Sequence, residues 1–262
     1  MTHVGQVASL WRYPVKSMAG HECPALFFGF AGVFGDRCWA IRDSAARPGM
    51  PYLTGTALES LLCHQPHFRF PDRAALPPNL AQAAGLPPGL AFANPSADDL
   101  AMDVVTPSGE RFALEDLAFL QHLASALDAK HQLTLVHSDR ALADCRPASL
   151  IGTAAIAGLE AGMGIPLDHR RFRANVYAEW AGPETEDAFL GRRVRLGDQA
   201  ILYFLERDPR CKMISLDPDT GAHDPRVLRY VAQQRGGYVG IYAAVLVEGI
   251  VKQGDSITVL DG

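Results

Sequence analysis

The chain has 262 residues, 48% of them hydrophobic and 20% charged, with a net charge of -5. That composition excludes a disordered chain, and the length allows one large core or two smaller ones without disulfide or metal staples. An acidic balance gives no bulk basic field for duplex nucleic acid, but it leaves room for an anion pocket built from a few local arginines.

The first twenty residues, MTHVGQVASLWRYPVKSMAG, lack the apolar run of a signal peptide. No later stretch gives the ~18 uncharged apolar residues of a spanning helix. The expectation is a cytoplasmic protein in a reducing setting, with no membrane association and no nucleic-acid partner. Five cysteines, Cys23, Cys38, Cys63, Cys145 and Cys211, include no C-x-x-C pair, which argues against a disulfide framework and a zinc knuckle.

In chain order, apolar runs bounded by Gly, Pro, Asn and Asp predict strands at His3–Arg12, Pro24–Phe30, Cys38–Asp43, Gln132–His137, Phe172–Trp180, Ala200–Glu206, Lys212–Leu216, Val239–Glu248 and Ser256–Leu260. Helical spacing predicts three helices. The first is Leu114–Leu127, with an apolar stripe of Leu114, Leu117, Leu120, Leu123 and Leu127. The second is the Ala-rich Ser149–Met163, and the third is Pro225–Arg235, with Asp224 as N-cap and Gly236 past its end. Between Pro71 and Pro107 prolines are too dense for a core element, which predicts a long irregular excursion. Val194–Asp198 and Val251–Asp255 each end a short strand in Gly-Asp, predicting two similar hairpins and a barrel rather than a parallel sheet.

The sequence lacks G-x-x-x-x-G-K-[ST], G-x-S-x-G, H-E-x-x-H and G-x-G-x-x-G, so the sites those spacings build are excluded. Asp217-x-Asp219-x-Gly221 begins like a calcium loop, but Leu228 stands where a bidentate glutamate is needed; it reads as a turn. Four polar islands remain: Tyr13–Met18, Gly35–Arg37, Arg171–Asn175 and Arg210–Lys212. Each is ordinary alone. Delivered to one place, their cations would bind a polyanionic small ligand such as a phosphate, Lys as a point charge and Arg bidentately. Cys211 lies between Arg210 and Lys212, a setting that favours a thiolate able to act as nucleophile or soft-metal ligand.

Taken together, Tyr13–Gly20, Gly35–Trp39, Arg171–Asn175, Leu196–Asp198, Arg210-Cys211, Asp217–Gly221, Gly240–Ala243 and Val251–Asp255 resemble, in order and spacing, the MOSC proteins with their N-terminal β-barrel domain. Within these the chain is similar to the mitochondrial amidoxime-reducing component and its bacterial relatives. The resemblance implies a β-rich α+β fold: an N-terminal barrel or sheet domain at 1–125, a MOSC barrel with flanking helices at 126–262, and a ligand cleft between the halves. It implies a molybdenum cofactor (Mo-molybdopterin) held by Lys16, Ser17, Arg37, Thr153, Arg173, Asn175 and Arg210, with the Cys211 thiolate on molybdenum. Ala155 stands where relatives often carry a serine, so Thr153 or helix N–H groups would take over that contact.

The implied activity is reduction of N-hydroxylated or related N- or S-oxide small molecules. Electrons would come from a separate donor protein (a ferredoxin, a cytochrome b5-like protein or a flavin reductase), because no Cys-rich cluster motif is present. A monomer or weak oligomer is expected. The alternative reading of the same residues is a carrier or adaptor that holds the cofactor, or sulfur on Cys211, for another enzyme.

Overall fold

The computed structural model describes residues 1–80, 98–143, 145–183 and 185–260. The middle of the proline-rich excursion, residues 81–97, lies outside them. In chain order the strands are β1 (Thr2–Arg12), β2 (His21–Cys23), β3 (Ala25–Gly29), β4 (Gly32–Val33), β5 (Trp39–Asp43), β6 (Gln65–Phe68), β7 (Met102–Val105) and β8 (Arg111–Ala113). They continue with β9 (Leu133–His137), β10 (Ala148–Gly152), β11 (Val176–Trp180), β12 (Arg193–Leu196), β13 (Ala200–Pro209), β14 (Tyr238–Val247), β15 (Gly249–Lys252) and β16 (Ser256–Leu260). The helices are α1 (Leu117–Ala124), α2 (Thr153–Met163) and α3 (Pro225–Arg235). The fold is β-rich α+β.

Seven strands close a barrel in the order β11-β10-β14-β13-β12-β16-β1, with β1 hydrogen-bonded back to β11. Within this barrel β10 and β11 run parallel and the other neighbours antiparallel. Alternate residues of each strand point inward, so Val7, Leu10, Leu150, Val176, Leu202, Phe204, Ile241 and Ile257 make one apolar interior. The seam needs glycine: Gly5 pairs with both Trp180 and Ile257, and a Cβ there would lie 2.3 Å from the Glu179 carbonyl oxygen.

A second core, with Phe27, Trp39, Ile41, Leu61, Met102 and Phe119, lies under the β5–β9 pair and the β6-β7-β8 sheet. A third packs α2 and α3 through Ile156, Leu159, Val227 and Val231 onto Trp11, Tyr13 and Tyr177. The pairings cross the division at 125/126, since β1 closes the barrel, β9 pairs with β5, and β15 pairs with β3.

Several expectations are corrected. Ala148–Gly152 is a strand and the second helix starts at Thr153; all five residues are buried between β11 and β14, and a strand buried on both faces has no period of two to betray it. The first helix is shorter than its leucine stripe. Asp116 caps it by accepting from Ala118 N, Phe119 and Leu123 face the core, and Leu117 is 64% exposed.

Phe172 ends a 3-10 turn (His169–Phe172), so the strand begins at Val176, and Lys212–Ser215 is a 3-10 turn rather than a strand. Gly197-Asp198 joins β12 and β13 as a hairpin. Gly254-Asp255 instead passes from β15, paired with β3, to β16 in the barrel. The third helix has the expected bounds: Asp224 Oδ1 accepts from Arg226 N, and Gly236 is left-handed.

The folded chain keeps several histidines from charging. Burial, then the neighbouring Arg12 and His67, lower His21 from 6.5 to about 4, and burial also lowers His64, His137 and His169. The unfolded chain therefore takes up protons first as pH falls. The stability is complete above the unfolded value near 6.5 and is lost through the folded value near 4; for His21 alone this is on the order of 2 kcal/mol. The melting temperature is expected to fall steadily over that window. A flat profile between pH 7 and 4 would contradict it.

Candidate functional site

One cleft of about 550 Å³ gathers side chains from distant parts of the chain. Lys16 and Ser17 come from the turn after β1, Arg37 from the approach to β5, and Asp43 from the end of β5, followed by the loop through Tyr52 and Thr56. Ser149 of β10, Arg171–Arg173, Asp208–Ile214 from the end of β13 onward, and Tyr242 of β14 complete the wall. Eight of the lining residues are basic (Lys16, Arg37, Arg47, Arg146, Arg171, Arg173, Arg210 and Lys212), against two acids, Asp43 and Asp208. On a chain with a net charge of -5, that concentration of one sign in a concave, partly dry space favours an anion.

Ser17 (φ 64°), Arg37 (φ 47°) and Arg173 (φ 55°) are the non-glycine residues in the left-handed region among the described residues, and all three line this cleft. Each such backbone costs about 1–2 kcal/mol, so its surroundings must hold it. They do so reciprocally. Lys16 N donates to Trp39 O and Arg37 N donates to Tyr13 O. Arg37 Nη2 donates to Arg173 O at 2.7 Å, and Arg173 Nη1 donates to Met18 O at 2.6 Å. Both guanidiniums lie over the buried Tyr13 ring, Arg37 Cζ at 5.0 Å and Arg173 Cζ at 4.4 Å from its centre.

Beneath them Asp36 accepts from Tyr13 N through Oδ1 and pairs with Arg37 Nη1 through Oδ2. Burial opposes the Arg37 charge, but Asp36 and Tyr13 together more than offset it, and the guanidinium pKa rises.

Cys211 lines the cleft and is exposed. Cys23, Cys38 and Cys63 are buried, with the Cys38 thiol pushed up to about 12 by burial. Cys145 is also exposed. The cations beside Cys211 are not turned on its sulfur as the sequence suggests. Arg210 donates through Nε to Val239 O and through Nη1 to Phe172 O, and its Nη2 is 2.8 Å from Asp208 Oδ2. Lys212 Nζ pairs with Glu59 at 2.7 Å. Arg210 is thus a brace, tied to two carbonyls and paired with Asp208 rather than aimed at the Cys211 sulfur.

Two expected site residues fall outside the lining. The Thr153 hydroxyl donates to Ala178 O on β11. Asn175 is 1% exposed; its Oδ1 accepts from Ser149 N and its Nδ2 donates to Trp11 O, so it fixes Ser149 instead of facing the cleft. Ala155 sits in the apolar core under α2, where a small side chain is a packing choice.

Sequence reasoning missed Ser149, which it assigned to a helix, and it singled out Arg171 only as part of the Arg171–Asn175 island, not as a contact of its own. Arg171 Nη2 pairs with Asp217 at 2.9 Å, while its Nε and Nη1 are sealed from solvent without a partner. No group of three or more His, Cys, Asp or Glu that could hold a metal ion occurs among the described residues, so a metal here would arrive with ligands of its own. No helix among them is long and apolar enough to cross a membrane.

A family model described as the MOSC domain matches residues 137–258. The Bos taurus protein named mitochondrial amidoxime reducing component 2 is 26% identical over 249 residues, which covers 86% of this chain and 70% of that protein. Among solved structures, the YUAD protein from Bacillus subtilis covers 97% of this chain and 94% of its own, with a TM-score of 0.49 and 14% identity. YiiM from Geobacillus stearothermophilus covers 44% of this chain and 55% of its own, with a TM-score of 0.36 and 20% identity.

Proposed function

The chain carries a MOSC domain over residues 137–258, and on that premise we propose that it is a molybdenum-cofactor-dependent reductase of N-hydroxylated small molecules, supplied with electrons by a separate donor protein. The convergence of Ser17, Arg37 and Arg173 in left-handed conformations on one cleft with an exposed Cys211 carries the reading. Strain of this kind persists where function needs side chains aimed together. The similarity to an amidoxime reducing component supports the substrate class.

The residues present fit such a cofactor. Its phosphate needs a positive lining, which Lys16, Arg37, Arg171 and Arg173 give the cleft beside the Ser17 hydroxyl. Its metal brings dithiolene ligands and needs one soft protein ligand, which Cys211 can supply. Thr153, Asn175 and Arg210, expected as direct contacts, would act indirectly, Asn175 by holding Ser149 and Arg210 by fixing the strand end that carries Cys211. When bound, the group supplies two-electron reduction of an N–O bond. The chain would orient it, with its anionic end among the arginines and Cys211 as its soft ligand.

Elemental analysis of protein made in a cofactor-competent host is expected to find stoichiometric molybdenum. With a chemical electron donor that protein should reduce a benzamidoxime, and Cys211→Ala should abolish the turnover. No molybdenum in the unaltered protein would overturn the proposal and favour the sulfur carrier or adaptor.

A further inference from the structure

Asp43 and His131 also line the cleft and take no part in the cluster around Tyr13. Asp43 ends β5 and is 4% exposed. Its Oδ2 lies 2.8 Å from His131 Nδ1, and its Oδ1 accepts from Ala45 N at 2.9 Å. The loops that carry the pair are tied together: Asp43 N donates to Pro51 O, Ser44 N to Gln132 O, Gln132 N to Ser44 Oγ, and Ser44 Oγ to Lys130 O.

A carboxylate can only accept, so the proton of the neutral ring sits on Nδ1 and Nε2 is left to exchange. Nε2 of His64, His137 and His169 is sealed and without a partner, whereas the His131 side chain is 12% exposed and lines the cleft. A hinge pin tying two loops would need the Asp43 contact but not this place on the cleft wall.

We propose that His131, held by Asp43, is the proton donor for the oxygen that leaves the substrate. The inference rests on the proposed reductase reading, because that reaction consumes protons at the departing oxygen. Reduction of an N-hydroxylated compound breaks its N–O bond with two electrons from the donor protein and two protons, releasing water. One proton passes from the His131 imidazolium, through Nε2, to the departing oxygen, and the other comes from solvent. The neutral ring then regains its proton at the open mouth of the cleft. Asp43 fixes the ring, as a carboxylate does behind a general acid.

The test uses molybdenum-loaded protein with a chemical electron donor. His131→Ala is expected to lower kcat about 10²-fold or more, with KM and molybdenum content little changed and with partial recovery in added imidazole. Asp43→Asn, which takes away the carboxylate while leaving the ring, should lower kcat less. A separate measurement needs no cofactor: diethyl pyrocarbonate followed by peptide mass spectrometry should carbethoxylate His131 well ahead of His64, His137 and His169. A His131→Ala enzyme with undiminished kcat overturns the proposal while leaving the reductase intact, and an unreactive His131 overturns it even if no molybdenum is bound.

Discussion

Replacing Asp36 with alanine is expected to cost about 4 kcal/mol and to lower the melting temperature by roughly 10 °C. Asp36 is 1% exposed. It neutralises Arg37, whose side chain is 14% exposed, and it accepts from Tyr13 N at 2.7 Å. Alanine would leave a nearly buried guanidinium without its counter-ion and a buried backbone N–H without an acceptor, and both penalties are large because water cannot replace either partner.

Loss of the pair also frees Arg37 from its place over Tyr13, so affinity for inorganic pyrophosphate, a simple probe of the basic cleft, should fall with stability. Asp36→Asn keeps an acceptor for Tyr13 N and should cost about half as much. Calorimetry with isothermal titration would check both effects. A variant that melts within about 2 °C of the parent would show that the ion pair does not hold this turn.

The second large effect is expected at Gly240, which is left-handed (φ +79°). Between the pairs Arg207↔Ile241 and Pro209↔Tyr238, Val239 and Gly240 together oppose Asp208, so the strand bulges. The bulge brings the Val239 carbonyl to Arg210 Nε at 2.8 Å and so sets the direction in which Arg210 and Cys211 leave the barrel. A Cβ on Gly240 would lie 2.4 Å from Ile151 Cγ1 and 2.7 Å from the Leu150 carbonyl oxygen. Backbone strain and the clash together should cost Gly240→Ala about 3–4 kcal/mol. Molybdenum retention should drop even in the fraction that folds, because the displaced bulge moves Arg210. A Gly240→Ala protein with parental stability and metal content would contradict this account of the bulge.

These expectations mark where the sequence could and could not be followed. Asp36, in the Gly35–Arg37 island, was visible as a polar residue beside an arginine, but its partner Tyr13 N is 23 positions away. Gly240 lay in a recognisable run, and nothing local marked it as the bulge that orients Arg210. Arg210 and Lys212 looked like activators of Cys211 because they adjoin it, yet each is engaged elsewhere, with Asp208 and with Glu59. Asn175 was selected for its place in Arg171–Asn175; strand alternation from β11 turns it inward to Ser149 while Arg173, two residues earlier, is left-handed and faces the cleft.

The sequence by itself determined the β-rich class, the α3 helix from N-cap to terminal glycine, and most of the basic residues and the thiol that line the cleft. Those signals act within a few residues: side-chain alternation, a cap that bonds two positions on, a glycine that ends a helix. Only the tertiary structure decided that β1 closes the barrel, which arginines stay available to a ligand, and that Asp43 and His131 meet. Those outcomes depend on groups far apart in the chain, 136 residues in Arg37 to Arg173 and 155 in Arg173 to Met18, where burial and competition for hydrogen-bond partners settle what no local pattern encodes.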